Sequence, residues 1–239
     1  MTRGQFSWPM DNSKPMTFVA QMRLQDIPKV NGTLKLPNEG ILYFFGDFAR
    51  PWKVLYEQDE SDLSELSPPP MPTPQPATGW RKFLPNKKSR LEHGPVYKQK
   101  FVSFQVVETY PPLESKELDA LELEDDEWDE VSELSEALFK KTAKHYLFGY
   151  PSPVQGNDME IYCQLESHGL VAGTKKTQAD PRYKELMASV FDWQLLFQVD
   201  SDDDTGFMWG DAGMLYFWMR KQDAEALAFD RVWMTDQCG

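Results

Sequence analysis

Alternating carboxylates are the residues in this sequence with the clearest potential for chemistry. Asp200, Asp202 and Asp204 occupy every second position, and Asp211 is the twelfth residue counted from Asp200. Oxygen ligands at alternating positions of a twelve-residue loop are typical of calcium-binding loops. The sixth position is Thr205, however, where such loops need glycine, and Asp211 reaches less far than the usual bidentate glutamate. The pattern leaves two alternatives, a calcium site at Asp200, Asp202 and Asp204 or a solvated acidic turn.

Two turn-rich segments form a second candidate site. Tyr150 opens the run Tyr-Pro-Ser-Pro-Val-Gln-Gly-Asn-Asp, which also contains Gln155 and Asp158. Trp209 and Asp211 belong to the tight turn Trp-Gly-Asp-Ala-Gly. Loops held by a rigid scaffold often carry function, so these five residues are predicted to line a binding groove. The alternative is that both loops simply cover an edge of the core.

Motifs for catalysis are missing from the sequence. It contains no P-loop, no Gly-x-Ser-x-Gly elbow and no His-Glu-x-x-His pair. His93 and His168 fall in polar, Gly-flanked loops, and His145 is expected to end a helix, where the helix dipole favours its charged form. We predict no catalytic residue; a hydrolase that uses the Asp200, Asp202 and Asp211 carboxylates is the remaining enzymatic alternative.

Composition and charge further limit the functions and cellular locations that this protein can have. The chain has 239 residues, 41% of them hydrophobic, which is enough for a sizeable core. With 25 Lys and Arg against 38 Asp and Glu, the net charge is −13, which argues against direct nucleic-acid binding. No apolar run is long enough for a signal peptide or a membrane span, so we expect a cytoplasmic protein without membrane attachment. Cys163 and Cys238 are predicted as buried free thiols, with a single disulfide as the alternative.

Runs of aromatic and β-branched residues bounded by Gly, Pro or Asp predict the strands. They cover residues 17–22, 41–45, 53–56, 101–109, 194–199, 214–219 and 232–235. Helix signals are fewer. Apolar residues recur at helical spacing from Trp128 to Leu138, in a segment that begins acidic and ends basic before Gly149. Shorter helices are expected at 182–187 and 222–227. The pattern predicts an α+β fold, mostly antiparallel β, with a few peripheral helices.

Three of these strands recur in the same order. The similar pairs are Phe18–Met22 with Leu195–Val199, Glu39–Phe45 with Ala212–Trp218, and Trp52–Tyr56 with Arg231–Met234. The alternative is chance similarity, because short strands draw on a small set of residue types. A duplication predicts one domain, 1–239, with related β-modules at about 15–56 and 193–238. Gln21 and Gln198 would then be equivalent, as would Val54 and Val232.

Charge and proline content mark the region between the modules. Six prolines within residues 68–76 favour an extended path and exclude helix, so about 61–77 is predicted as a poorly packed linker or surface loop. An acidic block at 57–65, a basic block at 81–100 and an acidic block at 114–136 alternate along the chain. Such blocks are usually solvated loops, although an acidic surface also attracts basic protein segments.

Several motifs resemble the bacterial YwqG-like family. They are Phe6-Ser7-Trp8-Pro9, residues 15–21 and 36–45, the central run 145–156, and the C-terminal runs 193–202 and 209–218. The resemblance omits residues 57–135 and implies a fold but no reaction, because that family is a domain of unknown function. It is remotely similar to the programmed-cell-death-protein-2 group, which is linked to ribosomal-protein handling. Members usually carry Gly-Gly-x-Pro ahead of the Trp-Pro, so either a first strand is missing here or the start is truncated.

These observations predict a non-enzymatic protein- or peptide-binding module, chaperone-like or adaptor-like, with an acidic surface. No cofactor is expected apart from the calcium alternative, and the expected partner is a protein or a basic peptide segment. An immunity or antitoxin protein that neutralises a basic toxin is one functional alternative. A metal-assisted hydrolase is the other. The sequence identifies neither the client nor the oligomeric state.

Overall fold

A computed structural model describes residues 2–3, 6–30, 34–49, 51–70, 97–113, 115–138 and 144–239. The strands, in chain order, are β1 (Thr2–Arg3), β2 (Met10–Asp11), β3 (Lys14–Pro15), β4 (Phe18–Arg23), β5 (Ile41–Phe45), β6 (Lys53–Glu57), β7 (Ser64–Glu65), β8 (Tyr146–Leu147), β9 (Trp193–Asp200), β10 (Met214–Arg220) and β11 (Trp233–Gln237). The helices are α1 (Lys116–Asp119), α2 (Asp125–Leu138), α3 (Met159–Glu166), α4 (Lys175–Gln178), α5 (Tyr183–Met187) and α6 (Lys221–Glu225). The fold is α+β and mostly antiparallel, as predicted.

Two antiparallel sheets form the centre of the molecule. The first has the order β4-β5-β6 and the second β11-β10-β9-β8, so a strongly apolar strand lies inside each sheet. All of β5 is buried, and so is all of β10 except Arg220 at its end. Successive side chains of a strand point to opposite faces. Both strands are therefore covered on both faces, which explains why neither shows an alternating hydrophobic pattern.

Aromatic side chains join the two sheets face to face. The Phe44 ring on β5 lies 4.9 Å from the Phe197 ring on β9 and 5.2 Å from the Phe217 ring on β10, between centroids. At the edge, the indole N–H of Trp52 donates to the Val232 carbonyl at 2.9 Å, and its ring meets that of Trp233. Edge-to-face rings add to the free energy gained by area burial alone. This interface is the main core.

Separate elements cover the two outer faces. Trp8 and Met16, from the segment around β2 and β3, pack on Tyr43 and Phe45 of the first sheet. Helix α3 covers the second sheet, where its Met159 and Cys163 meet Leu195, Tyr216 and Trp218. Each sheet thus lies between the main core and a cover of its own.

The two sheets share a register as well as an order. Gln21 pairs with Tyr43 across the first sheet, and Gln198 pairs with Tyr216 across the second. An extra residue bulges from the same place in each first strand, two positions before the glutamine: Val19 in β4 and Leu196 in β9. Bulges are specific features of a sheet, so a match in their position supports a duplication. The duplication itself stays a prediction.

The alignment of the third strands differs from the predicted one. Val54 lies opposite Phe44 in the first sheet, and Met234 lies opposite Phe217 in the second. Val54 therefore corresponds to Met234, and the predicted match to Val232 is wrong. Val232 instead ends the turn that precedes β11 and gives its carbonyl to Trp52.

The strand predicted at 101–109 is wrong, and the linker predicted at 61–77 makes contacts at its start that the sequence does not display. Residues 101–109 form no strand, since nothing in the described part of the chain pairs with them. Within the predicted linker 61–77, Ser64 and Glu65 pair with β1, and Leu63 and Leu66 pack on the first sheet's cover. The start of that linker is therefore packed, and residues 71–77 lie outside the described residues.

Three of the six helices lie where the sequence predicts them. The helices α5 and α6 match the predicted ones within two residues, and α2 covers the periodic stretch from Trp128 to Leu138 but is described only to Leu138, not to the predicted end at His145. The sequence does not predict α1, α3 and α4. The described part of the chain contains no helix with the length and apolarity that crossing a membrane requires.

The main core gives a direct stability prediction. Phe44→Ala removes a fully buried ring that contacts both Phe197 and Phe217. We expect the free energy of unfolding, measured in urea, to fall by about 3–5 kcal/mol. Phe191, which is 56% exposed, is the matched control, and Phe191→Ala should cost less than half as much as Phe44→Ala, about 1 kcal/mol. Equal losses in the two variants would contradict this description of the core.

Candidate functional site

Buried amide side chains hold the loop 150–156 against the second sheet. Gln198 on β9 is fully buried. Its Oε1 accepts from the Ser152 N–H at 3.0 Å, and its Nε2 donates to the Lys144 carbonyl at 3.2 Å. A polar side chain inside a core is costly unless it is hydrogen-bonded, and here both ends of the amide are.

A second glutamine holds the far end of the same loop. The Oε1 of Gln237 accepts from the N–H groups of Val154 and Gln155, at 2.8 and 3.0 Å. Its Nε2 donates to the Gly156 carbonyl at 2.7 Å. One side chain at the end of β11 therefore binds three consecutive residues of the loop and fixes their path.

Two tyrosines complete this clamp. The Tyr216 hydroxyl donates to the Ser152 carbonyl at 2.7 Å, and the Tyr146 hydroxyl donates to the Tyr150 carbonyl at 2.8 Å. Burial raises the pKa of Tyr146 to about 12 and raises that of Tyr216 as well. Both phenols therefore stay protonated at neutral pH and remain donors.

The clamp determines how the predicted loop residues are presented. Tyr150 is half-buried, and its N–H donates to Thr109 Oγ1 at 3.0 Å. Gln155 and Asp158 are exposed, and Asp158 immediately precedes α3 without capping it by its side chain. These three residues do lie on one rigid loop. Their role in binding stays a prediction.

Trp209 cannot serve as a surface anchor in this structure. Its side chain is fully buried and packs on Phe207 and Tyr97 at ring-centroid distances of 4.9 and 5.6 Å. Its indole N–H donates to the Asp200 carbonyl. We therefore assign Trp209 to the core and remove it from the proposed binding surface, because a ring without exposed area has nothing to offer a partner. Asp211, in the same turn, is exposed.

Glycines allow that turn to approach the C-terminal strand. Gly210 has a φ of 60°, in the left-handed region. A Cβ at Gly213 would collide with the backbone carbonyl of Gln237. The turn therefore packs directly beside the residue that clamps the loop 150–156.

The carboxylates of the acidic turn serve local structure. Asp200 accepts from the Lys144 N–H at 3.0 Å, and Asp202 accepts from the Asp204 N–H at 2.9 Å. The Asp204 hydrogen bond holds the pKa of Asp202 below its usual value. Among the residues that the structure describes, no three His, Cys, Asp or Glu side chains are grouped to hold a metal ion. The set Asp200, Asp202 and Asp204 is thus not such a group, nor is the hydrolase set with Asp211.

His145 has a different place from the predicted helix end. It lies next to β8, where its Nδ1 accepts from the Asp200 N–H at 3.1 Å. That bond leaves the proton on Nε2, which lies 3.4 Å from Asp202 Oδ2. His145 therefore joins β8 to the acidic turn. His168 is exposed beside the end of α3, and His93 lies outside the described residues.

The two cysteines are free thiols. Cys163 is fully buried under the second sheet, and burial raises the pKa of its thiol. Cys238 is only partly buried, in contrast to the prediction that both would be buried.

The sequence does not predict most of the residues that hold the loop. They are Gln237, Tyr216, Tyr146 and Thr109, and for the three that lie in strands a polar group within an apolar run is a usable signal. Gln198 is predicted only as a repeat position. Their partners lie far away in sequence, so spacing alone does not connect them.

Residues 2–238 match the model of one protein family, described as Domain of unknown function (DUF1963). The match confirms the expected membership of a family of unknown function, and it spans the stretch 57–135 that the motif resemblance omitted. A comparison with curated proteins found no match. The YwqG-like assignment and a bacterial origin stay predictions.

The clamp on the loop is testable by substitution. Gln237→Ala removes the acceptor for Val154 and Gln155 and the donor for Gly156. We expect a loss of about 1–3 kcal/mol in the free energy of unfolding and faster hydrogen exchange at those two amides. Gln155→Ala is the control, because its exposed side chain leaves the clamp intact. Unchanged exchange in Gln237→Ala would rule out the clamp.

Calcium binding is tested by calorimetric titration. Because the three carboxylates do not group, we expect no heat of binding from calcium or magnesium up to about 1 mM, the weak end of protein calcium sites. Saturable heat that disappears in Asp202→Asn would instead establish a site at the acidic turn.

Proposed function

We propose that this chain, which belongs to the DUF1963 family, is a non-enzymatic binding module that takes a basic, amphipathic protein segment on helix α2. One observation carries the proposal: α2 combines exposed acidic side chains with apolar side chains that lie outside the hydrophobic clusters of the described residues. An amphipathic helix normally buries its apolar stripe against a core.

The acidic side chains of α2 face solvent. Six of them are exposed along the helix: Asp125, Asp126, Glu127, Asp129, Glu130 and Glu133. Those of the first turn also complement the positive end of the helix dipole, and Glu127 accepts from the Glu124 N–H. For those further along, the described part of the chain shows no hydrogen bond or ion pair, and they favour a basic partner through long-range attraction.

The apolar side chains of α2 supply the contact area. Trp128 and Val131 are half-buried and Leu134 is 57% exposed. Their spacing of three residues places them along one side of the helix. Charged residues mainly set association rate and selectivity, whereas affinity depends on apolar and aromatic contacts. Helix α2 carries both.

In the other acidic stretches, several carboxylates make hydrogen bonds within the protein. Glu57 is buried and accepts from the Asp59 N–H, and Glu60 accepts from Arg23 and from the Gly40 N–H. Asp200 and Asp202 hold the acidic turn. Compared with the block 57–65 and with the acidic turn, helix α2 exposes the most acidic side chains.

The experiment uses a synthetic amphipathic peptide of lysine and leucine as the probe and its glutamate and leucine counterpart as the reference. Neutralising Asp129→Asn, Glu130→Gln and Glu133→Gln together should slow association of the lysine peptide about tenfold at low salt and flatten its salt dependence. Leu134→Ala should weaken binding about tenfold, mainly through faster dissociation. Stopped-flow fluorescence measures both rates.

A variant with the same change in charge elsewhere is the control. Asp203→Asn, Asp230→Asn and Glu185→Gln neutralise three exposed acids that lie outside α2. If this control slows association as much as the α2 variant, only net charge matters and the proposed surface is wrong. Equal binding of the two peptides would reject the basic-segment proposal altogether. An immunity or antitoxin role would use the same surface and differ only in the partner.

A further inference from the structure

The segment 98–111 has the sequence of a strand but no sheet to join. It is extended, without turns, and rich in aromatic and β-branched residues. In the part of the chain that the structure describes, no backbone hydrogen bond connects it to another strand. An extended segment with unpaired N–H and C=O groups is a template for pairing with another chain.

Contacts on the protein side hold this segment in place. Just ahead of it, Tyr97 packs edge-on against Phe207 at 4.7 Å between ring centroids. Phe104 is half-buried against the main core, and Thr109 Oγ1 accepts from the Tyr150 N–H. The segment is therefore fixed at three points before any partner arrives, which lowers the entropy that pairing would cost.

Its apolar side chains are unusually exposed. Phe101 is 95% exposed, Val102 69%, Val106 65% and Val107 61%. In an extended segment Phe101 and Val107 lie on one face and Val102 and Val106 on the other. Scattered exposed apolar residues are ordinary, but a second strand beside this one would cover apolar side chains on both faces.

The sequence of the segment is complementary to itself. Around Phe104, the order of residue types from 100 to 108 reads the same outward in both directions: polar, apolar and apolar, then charged. An antiparallel pair of identical strands centred on Phe104 brings together Phe101 with Val107, Val102 with Val106, Ser103 with Gln105, and Lys100 with Glu108. Lysine therefore faces glutamate at both ends.

We propose that two copies of this chain associate through antiparallel pairing of residues 100–108 about a twofold axis at Phe104. Such a contact is closed, because the same patch is used on both copies. The net charge of −13 opposes association of two copies, and the two Lys100–Glu108 pairs offset that repulsion where the chains meet. The proposal is independent of the peptide-binding role of α2.

Charge reversal tests the register. Lys100→Glu places glutamate opposite Glu108 at both ends, and Glu108→Lys places lysine opposite Lys100. Each should weaken dimerisation about tenfold, and the double variant should restore it. Within one chain the two residues are about 26 Å apart along an extended strand, so restoration reports pairing between chains. Sedimentation velocity over a range of protein concentrations measures the dimer.

The matched control is Lys98→Glu, which makes the same change in charge opposite Tyr110 instead of Glu108 in the proposed register. It should weaken the dimer less than Lys100→Glu does. Hydrogen exchange gives a second readout, since every second amide within 101–107 should gain protection as concentration rises. A wild-type mass that stays at 27.7 kDa up to about 1 mM would overturn the proposal. So would equal effects of Lys98→Glu and Lys100→Glu, or a double variant that is not restored.

Discussion

The aromatic contact between the two sheets is the interaction on which the rest of the structure depends. Phe44 meets both Phe197 and Phe217, so the inner strands of the first sheet and of the second are locked to each other. With one face of each sheet buried in this way, the opposite faces need covers. The segment around Trp8 covers one sheet and helix α3 covers the other. The order of layers follows from the apolar character of β5 and β10 on both of their faces.

This packing also buries polar side chains, which then need hydrogen-bond partners inside the protein. Gln198 lies within a strand that is buried on both sides, and its amide groups must find partners there. The Gln198 amide bonds to the backbone of Lys144 and Ser152. The Gln237 amide likewise bonds to the backbone of residues 154–156. The loop is therefore held in place because the buried side-chain amides of the sheet need hydrogen-bond partners. Gln21 is the equivalent of Gln198 in the register of the first sheet, and both lie two residues after a bulge. This match is the strongest structural argument for the duplication hypothesis.

Sequence patterns predicted the elements whose structure is determined locally or by hydrophobic burial. Both sets of three strands and the helix α2 follow from residue types and periodicity. The strand predicted at 101–109 was wrong because strand propensity describes a residue's preference, whereas a sheet also needs a partner. Trp209 is predicted to line a groove because it belongs to a tight turn, although its ring folds back into the core. His145 was placed at a helix end, since its partner Asp200 is distant in sequence. Tertiary contacts decided each of these cases.

The central functional claim is that α2 is the surface that meets a basic partner, while the clamped loop and the acidic turn maintain the scaffold. Two-dimensional NMR of the isotope-labelled protein, titrated with the amphipathic lysine and leucine peptide, locates the contact residue by residue. If α2 is the contact surface, the shifts concentrate in α2, including the indole signal of Trp128, and residues 150–158 and 200–211 stay unchanged. Shifts concentrated in the loop or the acidic turn, with α2 unaffected, would contradict it.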